Sequence, residues 1–247
     1  MDTKYLINAD LDGDSFKLNG GNTGILMIHG FTATTTEVRQ ISTCLSSFGY
    51  TIHAPLLPGH GTTPDDLNST RYQDWIKEVA QAYHSLKEQC KTIFIAGESM
   101  GAILSLHLAE NFPEINGVIC YSPALIVKNL WLSMILRFFI DAIPKGSASD
   151  ELPWKGYMVN PVKASAELYK LQQKTKYRLA KINQPTCVFI GGKDDRIAPD
   201  AGNFLLSKIS SPKKELHFFA NSPHCMILGI DMAAIGQKTH TFIQSCL

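Results

Sequence analysis

The sequence has almost no net charge with which to hold a charged partner. Among 247 residues, 23 Lys and Arg are balanced by 22 Asp and Glu, which leaves a formal net charge of +1 at pH 7. Proteins that bind nucleic acid or an anionic membrane surface through charge need a concentrated basic field. We therefore expect neither of these two partners.

The N-terminus lacks the features of a secretory signal. Such a signal begins with basic residues and continues into a long apolar run, whereas Asp2 and Asp10 lie on either side of a very short one. The most apolar stretch, residues 130–143, is interrupted by Arg137 and Asp141 and is too short to cross a bilayer. We expect a cytoplasmic protein without an integral membrane span.

Paired cysteines and metal-binding spacings are also missing. The six cysteines are widely spaced, with no C-x-x-C pair, and in a cytoplasmic chain this favours buried free thiols over disulfides. There is no H-E-x-x-H motif and no glycine-rich phosphate loop after a predicted strand. We therefore expect no metal and no cofactor.

What the sequence does contain is a regular alternation of apolar runs and helical patterns. The runs typical of buried strands are 24–29, 50–55, 92–96, 117–121, 186–191 and 215–219. Helices are predicted over 36–48, 72–90, 100–111, 200–209 and 231–246. This alternation predicts an α/β fold with a parallel sheet covered by helices. No Pro/Gly/Ser-rich linker divides the chain, so we expect a single domain over residues 1–247.

The alternation stops after residue 121 and resumes at residue 186, which predicts an insertion over about 123–185. It begins with the apolar segment 130–143, which we expect to be a helix lying as a cap over the active site. An ordinary core helix is the alternative, because an apolar stripe at helical spacing is usually packing. A second copy of the chain could also cover this segment, so the oligomeric state stays open.

A nucleophile candidate lies where the 92–96 run meets the next helix, in Gly97-Glu98-Ser99-Met100-Gly101. A serine on a sharp strand-to-helix turn projects out of the sheet toward a base, and the tight backbone leaves no room for side chains at Gly97 and Gly101. Met100 begins the helix, where unpaired N–H groups favour negative charge. The turn therefore offers a hydroxyl and an anion site together.

A serine hydroxyl is a poor nucleophile at neutral pH and needs a histidine base oriented by a carboxylate. In an α/β sheet, the usable residues follow the carboxyl ends of strands. His224 lies in such a loop, after the 215–219 strand, and Asp194 and Asp195 both lie in the loop after the 186–191 strand. The order Ser, Asp, His along the chain is then satisfied with either aspartate.

Several short motifs together resemble the α/β-hydrolase superfamily, and within it the small bacterial carboxylesterases and monoacylglycerol lipases. The motifs are His29-Gly30-Phe31, Gly59-His60-Gly61, Asp74-Trp75, Gly97-Glu98-Ser99-Met100-Gly101, the Asp194 loop and Ser222-Pro223-His224. The resemblance extends from about residue 23 to the C-terminus and is weakest in the insertion. It implies a mostly parallel sheet with helices on both faces and a small cap.

The same resemblance implies roles for individual residues. Ser99 is then the nucleophile and His224 the general base. The family's aspartate, which orients the imidazole, falls on Asp194 when its position is counted forward from Pro185. Counting back from Pro199 would give Asp195 instead. The backbone N–H groups of Phe31 and Met100 would form the oxyanion hole. His29 would be a structural residue that fixes the Phe31 loop.

These residues predict a serine hydrolase that cleaves carboxylic esters through an acyl-enzyme on Ser99. The apolar insertion favours a lipophilic small-molecule ester, either with a short or medium acyl chain or a monoacylglycerol. Two alternatives use the same residues or the same fold. One is a thioesterase or acyltransferase with this triad, and the other is a binding protein that has no turnover.

Overall fold

A seven-stranded sheet forms the centre of the molecule in a computed structural model that describes residues 5–145 and 152–247. The strands are β1 (Leu6–Ile7), β2 (Phe16–Leu18), β3 (Thr23–Ile28), β4 (Thr51–Ala54), β5 (Thr92–Glu98), β6 (Gly117–Tyr121), β7 (Ala142–Pro144), β8 (Gly156–Tyr157), β9 (Val159–Pro161), β10 (Thr186–Gly191) and β11 (Lys214–Phe219). The central sheet has the order β11-β10-β6-β5-β3-β4-β2. Its neighbouring strands are parallel except β2, which runs antiparallel to β4.

Helices cover both faces of this sheet. They are α1 (Thr36–Ser47), α2 (Pro64–Ser69), α3 (Tyr72–Lys87), α4 (Met100–Asn111), α5 (Ser133–Leu136), α6 (Val162–Arg178), α7 (Ala201–Lys208) and α8 (Met232–Gln244). Helices α1 and α8 pack on one face, and α3, α4 and α7 pack on the other. The predicted α/β fold class is confirmed, and every strand and helix predicted outside the insertion is present.

The central strands are buried on both faces, as their continuous apolar runs predict. In β3, Ile25 and Met27 pack toward α1 and α8, whereas Leu26 and Ile28 pack toward α3 and α4. All four side chains are fully buried. Because these strands are parallel, the loops that follow β3, β5, β10 and β11 meet at one edge of the sheet.

The insertion between β6 and β10 lies at this same edge and shares the main core. Helix α6 packs against α3 and α4, and its Leu168 and Leu171 belong to the cluster that covers that face of the sheet. Strands β7 and β9 form an antiparallel pair. A second antiparallel pair joins β8 to β1, with Leu6 opposite Tyr157. The N-terminal strand β1 is therefore hydrogen-bonded to the insertion.

The prediction of one helix over residues 130–143 is wrong. A 3-10 turn at Leu130–Leu132 leads into the four residues of α5, and the chain then turns into β7. Strand β7 ends on Pro144 and pairs with β9, and the N–H of Val162 donates to the Asp141 carbonyl at 2.8 Å, so backbone pairing across the insertion replaces the helix.

The core-helix alternative for this segment is wrong as well. Exposed side chains of the segment are those of Trp131, Ile135, Phe138, Phe139, Ile140 and Ile143. Within residues 5–145 and 152–247, no helix is long and apolar enough to cross a membrane.

Candidate active site

Ser99 sits on a strained turn between β5 and α4. Its backbone has φ 54° and ψ −108°, a conformation that residues other than glycine rarely adopt. A Cβ at position 97 would lie 2.3 Å from the carbonyl carbon of Gly101, and one at position 101 would lie 2.1 Å from the Ile28 carbonyl oxygen. The close approach of β3, β5 and α4 therefore requires both glycines, as the sequence predicts.

The structure brings Ser99, His224 and Asp194 into one hydrogen-bonded chain. His224 Nε2 lies 3.1 Å from Ser99 Oγ, and His224 Nδ1 lies 2.8 Å from Asp194 Oδ2. A neutral imidazole with its proton on Nδ1 donates to the carboxylate and accepts from the serine hydroxyl. The three residues come from the loops after β5, β10 and β11, which the parallel sheet places at one edge.

Asp194, and not Asp195, is the aspartate that contacts His224. Its other oxygen, Oδ1, accepts from the backbone N–H groups of Arg196 and Ile197, each at 2.9 Å. Burial alone would raise the pKa of Asp194, but the hydrogen bonds from His224 and these N–H groups lower it below its ordinary value. The side chain of Asp195 is 86% exposed and lies 3.9 Å from the Arg196 guanidinium.

His29 and Glu37 fix the loop that follows β3. The buried His29 has Nδ1 at 2.9 Å from the Gly30 carbonyl and accepts the Leu57 N–H on Nε2 at 3.1 Å. Burial lowers the pKa of His29 to about 4, so it stays neutral near pH 7. The buried Glu37 carboxylate accepts the N–H of Gly30. The structural role expected of His29 agrees with these contacts.

The positions expected to form an oxyanion hole lie on either side of Ser99. Phe31 belongs to the loop fixed by His29 and lines the same cavity as Ser99. Met100 is buried and is the first residue of α4, so its N–H has no acceptor within the helix. Buried His60 and Trp75 pack edge-on against the Phe31 ring, with centroids 6.2 and 6.1 Å away.

Two acidic residues near Ser99 were not identified from the sequence as part of the site. Glu37 lies in the first turn of α1, and Glu98 is the last residue of β5, directly before Ser99. Both are buried, and burial raises the pKa of each above its ordinary value. The burial of Glu98, with the negative charges of Glu37 and Asp194 nearby, favours its neutral acid form. The sequence signal for Glu98 was a carboxyl group at the end of an otherwise apolar strand, which indicates a buried acid.

A cavity of about 530 Å³ opens over Ser99 and His224. Most of its apolar wall comes from the insertion, namely Ala124, Val127, Leu130, Leu132, Leu136, Ile143, Pro144, Val162 and Leu168, and Phe31 and Ile197 complete it. Three cationic residues also line it, namely Lys128, Lys145 and Arg196. The volume and the apolar wall are those of a small-molecule site, and the segment 130–143 forms part of its roof.

One group of potential metal ligands lies elsewhere in the described part of the chain. Ligand atoms of Cys187, Glu215 and His217 lie within 4.8 Å of one another on β10 and β11. His217 Nε2 is already 3.3 Å from Glu215 Oε2. The group lies toward the starts of these strands, away from the edge that holds Ser99, so it plays no part in the site around the serine.

Three known proteins are similar to this chain over nearly its whole length. The thermostable monoacylglycerol lipase of Bacillus sp. (strain H-257) is 31% identical over 93% of this chain and 93% of its own length. The carboxylesterase of Bacillus subtilis (strain 168) is 27% identical over 93% of this chain and 95% of its own length. A solved structure described with the metagenome-derived lipolytic enzymes LipS and LipT superposes with a TM-score of 0.90, at 28% identity, over 94% and 98% of the two chains.

A family comparison agrees with these relatives. The family described as serine aminopeptidase, S33, matches residues 22–161, which include β3, the Ser99 turn and the first half of the insertion. That range covers more than half of the chain. The protein belongs to the serine aminopeptidase S33 family of hydrolases and has the α/β-hydrolase fold.

Proposed function

We propose that the protein is a serine hydrolase that cleaves carboxylic esters, with Ser99 as nucleophile, His224 as general base and Asp194 as the residue that orients the imidazole. The observation that carries this proposal is the continuous chain from Asp194 through His224 to Ser99, which opens into an apolar cavity. Each distance in the chain is a normal hydrogen bond, so proton transfer needs no rearrangement.

The reaction follows from where the groups lie. His224 Nε2 takes the Ser99 proton as Oγ attacks the ester carbonyl, and the N–H groups of Phe31 and Met100 donate to the oxyanion that develops. The imidazolium then gives its proton to the leaving alcohol. In the second half, His224 deprotonates a water that attacks the acyl-enzyme, and Ser99 Oγ leaves with the returned proton.

The surrounding residues keep this geometry ready before the substrate arrives. The N–H groups of Arg196 and Ile197 hold the Asp194 carboxylate, and His29 and Glu37 hold the loop that carries Phe31. Donors fixed in advance need little reorganisation when charge develops, and this is the main source of their effect on rate.

The proposed substrate is a lipophilic ester with a short or medium acyl chain, or a monoacylglycerol. Its support is the apolar wall of the cavity, together with a relative known as a monoacylglycerol lipase. We assign residues of about 123–185 the role of a cap over the bound chain, because Leu130, Leu132 and Leu136 face the cavity. Six free thiols are the observation that favours a cytoplasmic location.

Ser99→Ala tests the proposal directly. We expect its kcat for p-nitrophenyl butyrate to fall by a factor on the order of 10⁶, as when a serine nucleophile is removed elsewhere. A fluorophosphonate probe should label the wild-type protein and leave Ser99→Ala unlabelled. Ser207→Ala, on the exposed side of α7, is the matched control and should behave as the wild type.

A folded Ser99→Ala protein that still hydrolyses the ester at a comparable rate would refute the role of Ser99. Folded wild-type protein that takes up no probe and cleaves no ester would favour a binding protein on this fold. Circular dichroism of each variant distinguishes loss of chemistry from loss of structure.

A further inference from the structure

Lys145 brings an ammonium group into the cavity beside the expected oxyanion loop. It follows β7 directly, is mostly buried, and donates from Nζ to the hydroxyl of Thr32. The Thr32 hydroxyl in turn donates to the Phe31 carbonyl at 2.5 Å. Lys145 Nζ also lies 5.0 Å from the centroid of the Trp154 ring. The cation is therefore held on the cavity wall next to Phe31.

This ammonium forms no ion pair within the part of the chain that the structure describes. No carboxylate there lies within 4.0 Å of Lys145 Nζ. The cavity carboxylates are engaged elsewhere: Glu37 accepts the Gly30 N–H, and Asp195 is exposed and lies beside Arg196. A mostly buried ammonium without a paired carboxylate costs free energy, and a bound anion would lower that cost.

A second cation increases this imbalance. Arg196 lines the same cavity, and its positive charge adds to the effect of burial in lowering the pKa of Lys145 to about 7. Glu37 acts in the opposite direction but does not offset these two effects. An anion bound between the ammonium and the guanidinium would relieve their repulsion and accept hydrogen bonds from both.

We propose that Lys145 and Arg196 form an anion subsite beside Ser99, so that the preferred esters carry a carboxylate or phosphate close to the scissile bond. This inference rests on the proposed function and narrows its substrate class. The apolar wall would hold the hydrocarbon part of such an ester while the two cations hold its charged end. The anion can belong to the acyl part, as in a dicarboxylic half-ester, or to the alcohol part, as in a monoacylglycerol phosphate.

Two pairs of substrates that differ in charge test the subsite. The acyl pair is p-nitrophenyl butyrate and mono-p-nitrophenyl glutarate, and the alcohol pair is 1-lauroylglycerol and its 3-phosphate. For each pair the anionic-to-neutral ratio of kcat/KM is compared in the wild type, Lys145→Met, Lys145→Glu and Lys163→Met. Lys163 is the matched control, because it belongs to the same insertion but pairs with Asp141 at 3.0 Å outside the cavity.

We expect the ratio to fall by about tenfold or more in Lys145→Met in at least one pair, and further in Lys145→Glu, because a hydrogen bond to a charged group is lost. Lys163→Met should keep the wild-type ratio. The pair that responds identifies the side of the ester that carries the anion. A ratio is used because Lys145 also contacts Thr32, and a shift of that loop would slow neutral and anionic esters alike.

Equal ratios in the wild type and both Lys145 variants, in both pairs, would overturn the subsite even if absolute rates fall. Calorimetric binding of the same anionic esters to Ser99→Ala, with and without Lys145→Met, gives a second readout that needs no turnover. Absence of ester cleavage with intact, Lys145-dependent binding would refute the proposed function and leave the subsite standing. Binding that Lys145→Met does not weaken would refute the subsite alone.

Discussion

At the scale of single residues, the local environment of each titratable side chain near Ser99 determines its protonation state. Burial lowers the pKa of His29 to about 4 and leaves it neutral, and burial raises the pKa of Glu98 and favours its acid form. Asp194 stays ionised because His224 and two backbone N–H groups hydrogen-bond to it. Among these groups, His224 is the one placed to receive the Ser99 proton.

Asp194→Asn and Asp195→Asn separate the two adjacent aspartates by activity. We expect Asp194→Asn to lower kcat on p-nitrophenyl esters by about 10⁴, because the amide no longer holds the imidazole in the useful tautomer. Asp195→Asn should change kcat by less than about threefold, because an exposed and loosely paired charge contributes little. Steady-state kinetics with both variants decide this, and a larger loss in Asp195→Asn would contradict the assignment.

The preference for anionic esters should weaken as the pH rises through the Lys145 pKa of about 7. Lys145 interacts electrostatically with Arg196, Glu37, Cys225 and His60, and Lys128 and Asp195 line the same cavity. Burial raises the pKa of the Cys225 thiol and lowers the pKa of the His60 imidazole, so both groups stay neutral over this range.

The measurement is the glutarate-to-butyrate ratio of kcat/KM from mildly acidic to mildly alkaline pH. The Lys145 side chain is charged below its pKa and loses its proton and charge above it. The wild-type ratio should therefore fall as the pH increases. Lys145→Met should show a flat ratio. A fall of equal size in Lys145→Met would assign the effect to Glu37, whose pKa is raised by burial.

At the scale of secondary structure elements, the β5–α4 turn depends on how closely three backbones approach. Gly101 lies against the carbonyl of Ile28 in β3, and Gly97 lies against Gly101 itself. The turn holds Ser99 at positive φ and directs its hydroxyl out of the sheet. The strained conformation of Ser99 is maintained because the strand before it and the helix after it are almost entirely buried.

Gly101→Ala should therefore destabilise the whole protein. The new Cβ would lie 2.1 Å from the Ile28 carbonyl oxygen, and we expect the free energy of unfolding to fall by about 1–3 kcal/mol or more as β3 and α4 separate. Gly229→Ala is the control, because its Cβ would meet no atom closer than 3.6 Å. Urea unfolding followed by circular dichroism measures both, and equal midpoints would contradict the argument.

The insertion is where sequence patterns and structure differ, and the reason is physical. Helix α6 is rich in Lys and Gln, and its buried residues include the polar Ser165, Gln172 and Thr175, so its hydrophobic pattern is weak. Segment 130–143 is strongly apolar, yet its backbone partners lie in β9, which no local pattern reveals. Lys145 reaches the site only through that pairing, so its role could not be predicted from neighbouring residues.

At the scale of the whole molecule, the sheet and its covering helices could be predicted because each buried parallel strand is itself a continuous apolar run. Ser99 and His224 could be placed together because loops after parallel strands share one edge of the sheet. The choice between Asp194 and Asp195 depended on the conformation of their loop, where Asp194 alone turns inward. Short elements such as β2 and α2 carry too few residues to give a pattern.

The six thiols report on the integrity of the whole fold. Cys90, Cys120, Cys187 and Cys225 are buried, whereas Cys44 and Cys246 are partly accessible. Burial raises the pKa of Cys120, Cys187 and Cys225, which further slows their reaction because the thiolate is the reactive form. Titration with a disulfide reagent should modify at most two thiols quickly in the native protein and all six in concentrated guanidinium chloride. Rapid native modification of four or more would contradict the packing.

The second half of the insertion is attached to the rest of the protein at more points than the first half. The second half makes three such attachments. Helix α6 lies in the main core, β8 pairs with β1, and the Tyr157 hydroxyl donates to the Gly59 carbonyl at 2.7 Å. In the first half, a bridge from Val127 to Ile197 and the hydrogen bonds at the Asp141 carbonyl mark the two ends of an arch, residues 128–140, whose helical turns pack mainly against α6. A fluorophore at Phe139, on that arch, should change its emission when a long-chain ester is admitted, whereas one on α6 should not.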